Sequence, residues 1–277
     1  MESFQYKDIR DRFHYLCERE YTFLSVDRVD NIVCKIFEPD FVHDMLEAGY
    51  DLENLVLNGS KLIGSDEIIV PNGIVYSNKY FAGYLMPFFN GVSIYRYSIE
   101  PSKLYDIYSR IEGIVRNCDN IVFPDLLTDG NILINDDLDI KLIDFDGMQI
   151  GNYSTPVFSR NMGDKSIYCN FKYMDNNLYT KQLDIKSLIY LFINLLLGVE
   201  MGYLDQYKGD EQLKQLDEFF RNLHIDDDDL INKICYLYTD DVENAYLGDT
   251  AKYICDNYCV ELVCENDRCE KRLIRKL

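Results

Sequence analysis

The sequence predicts an α+β protein, with a small β-rich part over residues 1–88 and a larger, mostly helical part over residues 89–277. Three observations predict it. Runs of β-type composition crowd the first part. Apolar residues fall at helical spacing from Ser102 and again from Gln182. The composition, 47% hydrophobic and 27% charged over 277 residues, is that of a globular chain long enough for one large domain or two lobes.

The elements follow in order. Residues 21–26 (YTFLSV) and 31–37 (NIVCKIF) are β-type runs, and the polar stretch Asp27-Arg28-Val29-Asp30 between them predicts a hairpin turn. Residues 41–57 carry apolar side chains at roughly helical spacing around Gly49, which predicts one or two helices. Residues 67–71, 74–76 and 80–86 read as strands, the last two joined by a turn at Ser77-Asn78-Lys79. The character changes near residues 87–91 (PFFNG), and Pro101 opens a helical pattern over residues 102–115. Residues 131–134 (NILI) and 140–143 (IKLI) are short apolar runs around the turn Asn135-Asp136-Asp137. From about Gln182 to the end the pattern is mostly helical. The apolar run at residues 188–199 (LIYLFINLLLGV) is too short to span a bilayer and predicts a buried core helix.

Lys and Arg number 28 against 48 Asp and Glu, a formal charge of −20. That balance weighs against nucleic acid as a partner and against docking on an anionic membrane. The N-terminal residues lack a signal-peptide layout, so the expectation is a cytoplasmic protein with no membrane span. Nine cysteines, an odd number, point to reduced thiols. Cys255, Cys259, Cys264 and Cys269 lack paired C-x2-C spacing, and Cys255 with Cys259 would share a helix face as core packing. His14, His43 and His224 are too scattered for a site. The acidic run at residues 226–229 reads as a solvated loop or a helix start, and residues 268–277 form a basic tail.

The stretch that carries chemistry is residues 123–147, FPDLLTDGNILINDDLDIKLIDFDG. Its two apolar runs bring Asn131 and Asp144 to the two ends of one hairpin. An amide oxygen and a carboxylate converging there suit a hard cation such as Mg²⁺, which takes oxygen ligands and shares them with phosphates. Asn131-Ile132-Leu133, followed thirteen positions later by Asp144-Phe145-Asp146-Gly147, resembles the N-I-L and D-F-G elements of the protein-kinase-like superfamily. Within that superfamily the chain resembles a divergent bacterial-type Ser/Thr protein kinase. The resemblance extends over roughly residues 15–250. Val33-Cys34-Lys35-Ile36 resembles the strand whose lysine holds ATP phosphates, and Glu53 falls where a helix glutamate pairs with that lysine, Glu47 being a weaker choice. Residues 83–91 resemble the strand that runs into the adenine-gripping hinge, with Met86 and Phe89 as its apolar contacts. Asp184, in LDIKSL, resembles the anchoring Asp of the large lobe's central helix.

The chain also departs from that family. No glycine precedes Gly49, so the G-x-G-x-x-G lid over the phosphates is missing; two acids lie near residues 17–21, where it should be. Phe123-Pro124-Asp125-Leu126 stands where H-R-D-L is expected, in a loop one residue longer. Asp125 is the first candidate base, Asp129 the rival, and a pseudokinase without a base is the third possibility. Without the loop Arg, switching through an activation-loop phosphate is not expected. D-F-D-G replaces D-F-G, so Asp146 either adds a carboxylate near the metal or caps the next turn. Residues 172–175 fall near the A-P-E position without keeping the motif.

The resemblance thus implies a two-lobed fold, binding of ATP and Mg²⁺, and transfer of the γ-phosphoryl group to a Ser/Thr hydroxyl of a protein substrate. The forty positions from Asp144 to Asp184 leave room for a segment that docks a peptide. Two alternatives stand beside it. D-F-D and the lost A-P-E suit a small-molecule phosphotransferase of the aminoglycoside or choline type. The missing glycines suit a pseudokinase acting as a binding module.

Overall fold

The computed structural model describes residues 1–19, 21–97, 99, 101–153, 174–175, 178–197, 209–222, 227–239, 247–265 and 268–276. It is mixed α+β, sheet-rich in its N-terminal part and helical later. The described residues fall into two compact units. One holds residues 1–96 with 118–153, the other residues 97–117 with most of those from 179 onward.

The first unit is built on six strands. They are β1 (Glu2–Gln5), β2 (His14–Arg19), β3 (Thr22–Asp27), β4 (Ile32–Phe37), β5 (Gly73–Ser77) and β6 (Tyr80–Pro87), in the spatial order β1-β5-β6-β4-β3-β2. Only β1 with β5 is parallel. The β3–β4 turn forms where the sequence predicts it. Asp27 Oδ1 accepts from the Val29 and Asp30 amides at 2.9 and 3.3 Å, and Asn31 takes φ +53°, a conformation that asparagine tolerates. Asn78 does the same for the β5–β6 turn at φ +57°.

Strand alternation sorts the sheet's side chains onto two faces. Cys34, Val75 and Leu85 face outward and form a buried cluster with Ile9, Phe4 and Phe13, so the short helix α1 (Tyr6–Ile9) and its flanks cover that face. The opposite face carries Lys35, Phe37 and Tyr84. There Phe37 lies 5.9–6.0 Å from the rings of Phe41, Phe81 and Tyr84. Helix α2 (Pro39–Glu47) supplies Phe41 and Met45 to this core, after a start with proline in its first turn. Helix α3 (Leu52–Asn54), capped by Asp51, runs on into a wider turn over Leu55–Gly59, so residues 41–57 do form two helices.

The stretch at residues 67–71 does not join the sheet as a strand. It makes a single bridge, Ile68 with Leu142: the Ile69 amide donates to Leu142 O at 2.9 Å and the Leu142 amide to Glu67 O at 2.8 Å. Pro71, which lacks an N–H, cannot extend the ladder. Strands β7 (Val92–Ser93), β9 (Ile132–Ile134) and β10 (Ile140–Leu142) make a three-stranded sheet, and β8 (Ile121–Val122) pairs with β11 (Gln149–Ile150).

The second unit is helical over Pro101–Asn117, Lys181–Leu197, Gly209–Asn222, Asp228–Thr239 and Leu247–Asn257. The Lys181–Leu197 helix is the predicted core helix, with Leu188 to Ile193 all buried. Its Phe192 meets Tyr108 at 4.9 Å. The acidic run is a helix start: Asp227 Oδ1 caps the Leu230 amide at 3.0 Å, while Asp226 lies outside the described residues. The C-terminal end corrects the helical expectation. Tyr258–Glu265 and Arg268–Arg275 form an antiparallel hairpin with eight facing pairs. Val260 and Leu262 flank Glu261 there, a two-residue period that suits a strand. Cys255 therefore lies in a helix and Cys259 in a strand, and the two share no helix face. Among the described residues no helix is long and apolar enough to cross a membrane.

Candidate functional site

Every residue of the candidate site lies in the first unit. Lys35 sits in β4 opposite Tyr84 of β6, and the next pair is Ile36 with Gly83. A Cβ on Gly83 would stand 2.0 Å from Lys35 O, so glycine is what lets these strands close beside the lysine. Lys35 is buried, and its Nζ donates to Asp144 Oδ1 at 2.5 Å and to Asp146 Oδ1 at 2.6 Å. Burial alone would lower the Lys35 pKa; the two carboxylates outweigh it and hold the ammonium raised.

Local backbone explains how one tetrapeptide delivers both acids. Asp144 is left-handed, at φ +68° and ψ +56°, and Phe145–Gly147 make a single 3-10 turn. Asp144 and Asp146 thereby reach the same ammonium while Phe145 turns into the core, edge-on to Tyr84 at 6.4 Å. A Cβ on Gly147 would lie 2.8 Å from Asp144 Oδ2, so the fourth position of D-F-D-G must stay small. Tyr84, fully buried, donates its Oη to Asp146 Oδ1 at 2.5 Å. Burial, with the charges of Asp146 and Asp144, pushes the phenol well above its ordinary pKa.

Asp125 comes from a run of tight turns: Leu126 N donates to Phe123 O, Thr128 N to Asp125 O and Asn131 N to Thr128 O, at 3.0–3.2 Å. Thr128 Oγ1 donates to Asp125 Oδ1, and Asn131 Nδ2 donates to Asp125 O at 2.8 Å and Oδ2 at 3.3 Å. Burial first, then the charge of Asp144, pushes Asp125 up to about 6 against these bonds and Lys35. The hairpin holds Asn131 and Asp144 at its mouth, where the Ile143 amide donates to Asn131 O at 2.9 Å. The Asn131 amide oxygen accepts from no described residue. Asp125, Asn131, Ile143 and Asp144 line one cleft with Phe123 and Leu126.

The structure thus brings together Lys35, Asp125, Asn131 and Asp144. It does not bring Glu53 to Lys35. The Glu53 carboxylate accepts from Tyr76 Oη at 2.6 Å, a bond that, with burial, pushes the phenol up to about 12. Asp129 is exposed and pairs with the still more exposed Arg96 rather than entering the cleft with Asp125. Met86 is buried opposite Val33, and Phe89 is half-buried, its ring 2.5 Å from where a Cβ on Gly91 would be. Where a glycine lid is expected, β2 instead pairs with β3 as an ordinary hairpin arm with a bulge between Tyr15 and Cys17. In the second unit Asp184 is buried and pairs with Lys181 at 2.9 Å, whose Nζ also donates to Val115 O. Of the A-P-E-like stretch, Met174–Asp175 is a short strand, while Lys172 and Tyr173 lie outside the described residues.

Sequence reasoning missed Tyr84 and Thr128 and left Asp146 without a partner. The signal for Asp146 was its two-residue spacing from Asp144. Tyr84 had none, because its role depends on a cross-strand register. Among the described residues no group of three or more His, Cys, Asp or Glu is arranged to hold a metal. Asn131 and Asp144 offer two hard oxygens, which fits Mg²⁺ that keeps waters and phosphates as its other ligands. Compared with protein-family models and with curated proteins, the chain matches none.

Proposed function

We propose that this chain is an ATP-dependent phosphotransferase with a two-lobed, protein-kinase-like fold. It transfers the γ-phosphoryl group of ATP to a Ser/Thr hydroxyl of a protein, in the cytoplasm. The observation that carries this reading is the meeting of Lys35 with Asp144, 109 residues away, in the unit where Asn131 and Asp125 share a cleft with that Asp144. Lys35 binds phosphate oxygens, and Asn131 and Asp144 hold Mg²⁺, which neutralises phosphate charge. Two or three carboxylates around one ammonium leave the site negative, so a triphosphate needs a divalent cation to enter it. Asp125, oriented by Thr128 and Asn131, accepts the proton of the attacking hydroxyl; a base near pH 6 is mostly ionised at neutral pH. Met86 and Phe89 supply apolar contacts to the adenine.

The test is thermal unfolding with and without ATP, each with and without Mg²⁺, beside Lys35→Ala and Asp144→Ala. Nucleotide at 100 times its dissociation constant adds about 2.7 kcal/mol, a rise of several degrees. The expected rise requires Mg²⁺ and disappears in Asp144→Ala; no rise at saturating nucleotide overturns the reading. Two other readings rest on specific observations. The D-F-D sequence favours a small-molecule acceptor, which labelled ATP offered with aminoglycosides, choline and a generic protein substrate separates. The double hold on Lys35 and the glycine-free hairpin favour a pseudokinase, for which binding occurs without turnover.

A further inference from the structure

We propose that Asp146, fixed by Tyr84, is the positioning carboxylate of Lys35, in the place where a helix glutamate would be expected. The role in phosphate binding rests on the phosphotransferase reading; the contact itself does not. Lys35 Nζ has three N–H donors, and two of them are engaged, by Asp144 and Asp146. Asp144 has a second use as a metal ligand, and a carboxylate turned toward a cation holds an ammonium less well. Asp146 is instead held by two donors at one oxygen. Its Oδ1 is shared by the Lys35 ammonium at 2.6 Å and the Tyr84 hydroxyl at 2.5 Å. Lys35, Tyr84 and Asp146 are each 9% exposed or less, so this chain of bonds is strong and costly to leave half made.

The two anchors are also rigid. Lys35 and Tyr84 face each other directly on β4 and β6, in the middle of a six-stranded sheet. Asp146 is thus gripped from two adjacent strands and not from a helix. Glu53 has a different partner, Tyr76 on β5, so α3 has no hold on the lysine. It follows that the lysine is oriented by the sheet and by the turn after β10, and a shift of α3 leaves it in place. Among the described residues one donor of Lys35 remains for a phosphate oxygen.

Two measurements test this, one of them independent of nucleotide. The first is a double-mutant cycle on unfolding, pairing Lys35→Met with Asp146→Asn and, separately, with Glu53→Gln. The Lys35–Asp146 pair is expected to couple by about tenfold or more in the unfolding constant, and the Lys35–Glu53 pair by much less. The second is the dissociation constant of ATP with Mg²⁺, and the split of KM against kcat, for Asp146→Asn, Asp146→Glu, Tyr84→Phe and Glu53→Gln. Asp146→Asn is expected to weaken nucleotide binding about tenfold more than Glu53→Gln does, with Asp146→Glu recovering part of the loss. Tyr84→Phe, which keeps both charges and the ring, weakens it in the same direction and serves where Asp146→Asn does not fold. Lys35 coupled to Glu53 and not to Asp146, or Glu53→Gln as damaging as Asp146→Asn, overturns the proposal. A wild-type chain that binds no nucleotide while Lys35 and Asp146 still couple sinks the phosphotransferase reading and leaves the positioning pair standing.

Discussion

Asp125 is a carboxylate on which burial and a neighbouring charge act in the same direction. Held at about 6 against an ordinary value near 3.9, it binds its proton more tightly in the folded chain than in the unfolded one. The stability it contributes is therefore complete below about pH 4 and is lost as pH rises through 6, a change of about 2–3 kcal/mol. Without divalent ions, wild-type unfolding midpoints should fall over that window relative to Asp125→Asn, which cannot titrate. Parallel pH profiles for the two would refute the assignment. Gly147→Ala is a second test at this scale. Its Cβ would press on Asp144 Oδ2, and the expected loss is about 1–3 kcal/mol by denaturant unfolding, with Asp144 displaced from Lys35. The approach of Asn131 to Asp144 was legible in the sequence, because two short apolar runs flank the polar turn Asn135-Asp136-Asp137 and so close a short hairpin. The partner of Lys35 was not. Glu53 and Asp146 are both acids within reach of some fold, and only the register of Lys35 against Tyr84 chooses between them.

At the scale of elements, the β3–β4 and β5–β6 hairpins were legible because polar turns with Asp or Asn interrupt β-type runs, whereas β1 and β2 were not read as strands. Residues 67–71 misled because their composition suits a strand while their neighbours supply no edge; they bridge to Leu142 instead. The terminal hairpin was hidden because its first strand, from Tyr258, follows directly on a helix that ends at Asn257. The close pairing of β4 with β6 depends on Gly83. Gly83→Ala would set a Cβ against the Lys35 carbonyl, a backbone atom that cannot swing aside. The expected loss is about 3 kcal/mol or more, well beyond a surface change, and circular dichroism against denaturant measures it. An unfolding curve like the wild type would mean that the strands separate more readily than their register implies.

For the molecule as a whole, 20 surplus negative charges repel one another, and added salt shortens the reach of that repulsion from about 30 Å at 0.01 M to about 8 Å at 0.15 M. Raising NaCl over that range should lift the unfolding midpoint by about 2–4 °C, the equivalent of roughly 1 kcal/mol. A drop would show that exposed pairs such as Arg221 with Asp217 and Asp228 outweigh the repulsion. The α+β composition of the whole was legible from the contrast between the first part and the rest. The assignment of residues 118–153 to the same compact unit as the sheet was not, because that grouping comes from contacts between distant stretches, among them Lys35 with Asp144. The parallel pairing of β1 with β5 has a bearing on how the chain is made. Glu2 to Gln5 leave the ribosome before their partners, Gly73 to Tyr76, which follow about 70 residues later. At about 5–20 residues per second β1 waits roughly 4–14 s for its neighbour. Throughout that interval Phe4 and Ile9 lack the Val75 and Leu85 side chains they pack with, which makes this segment a natural stop for a chaperone.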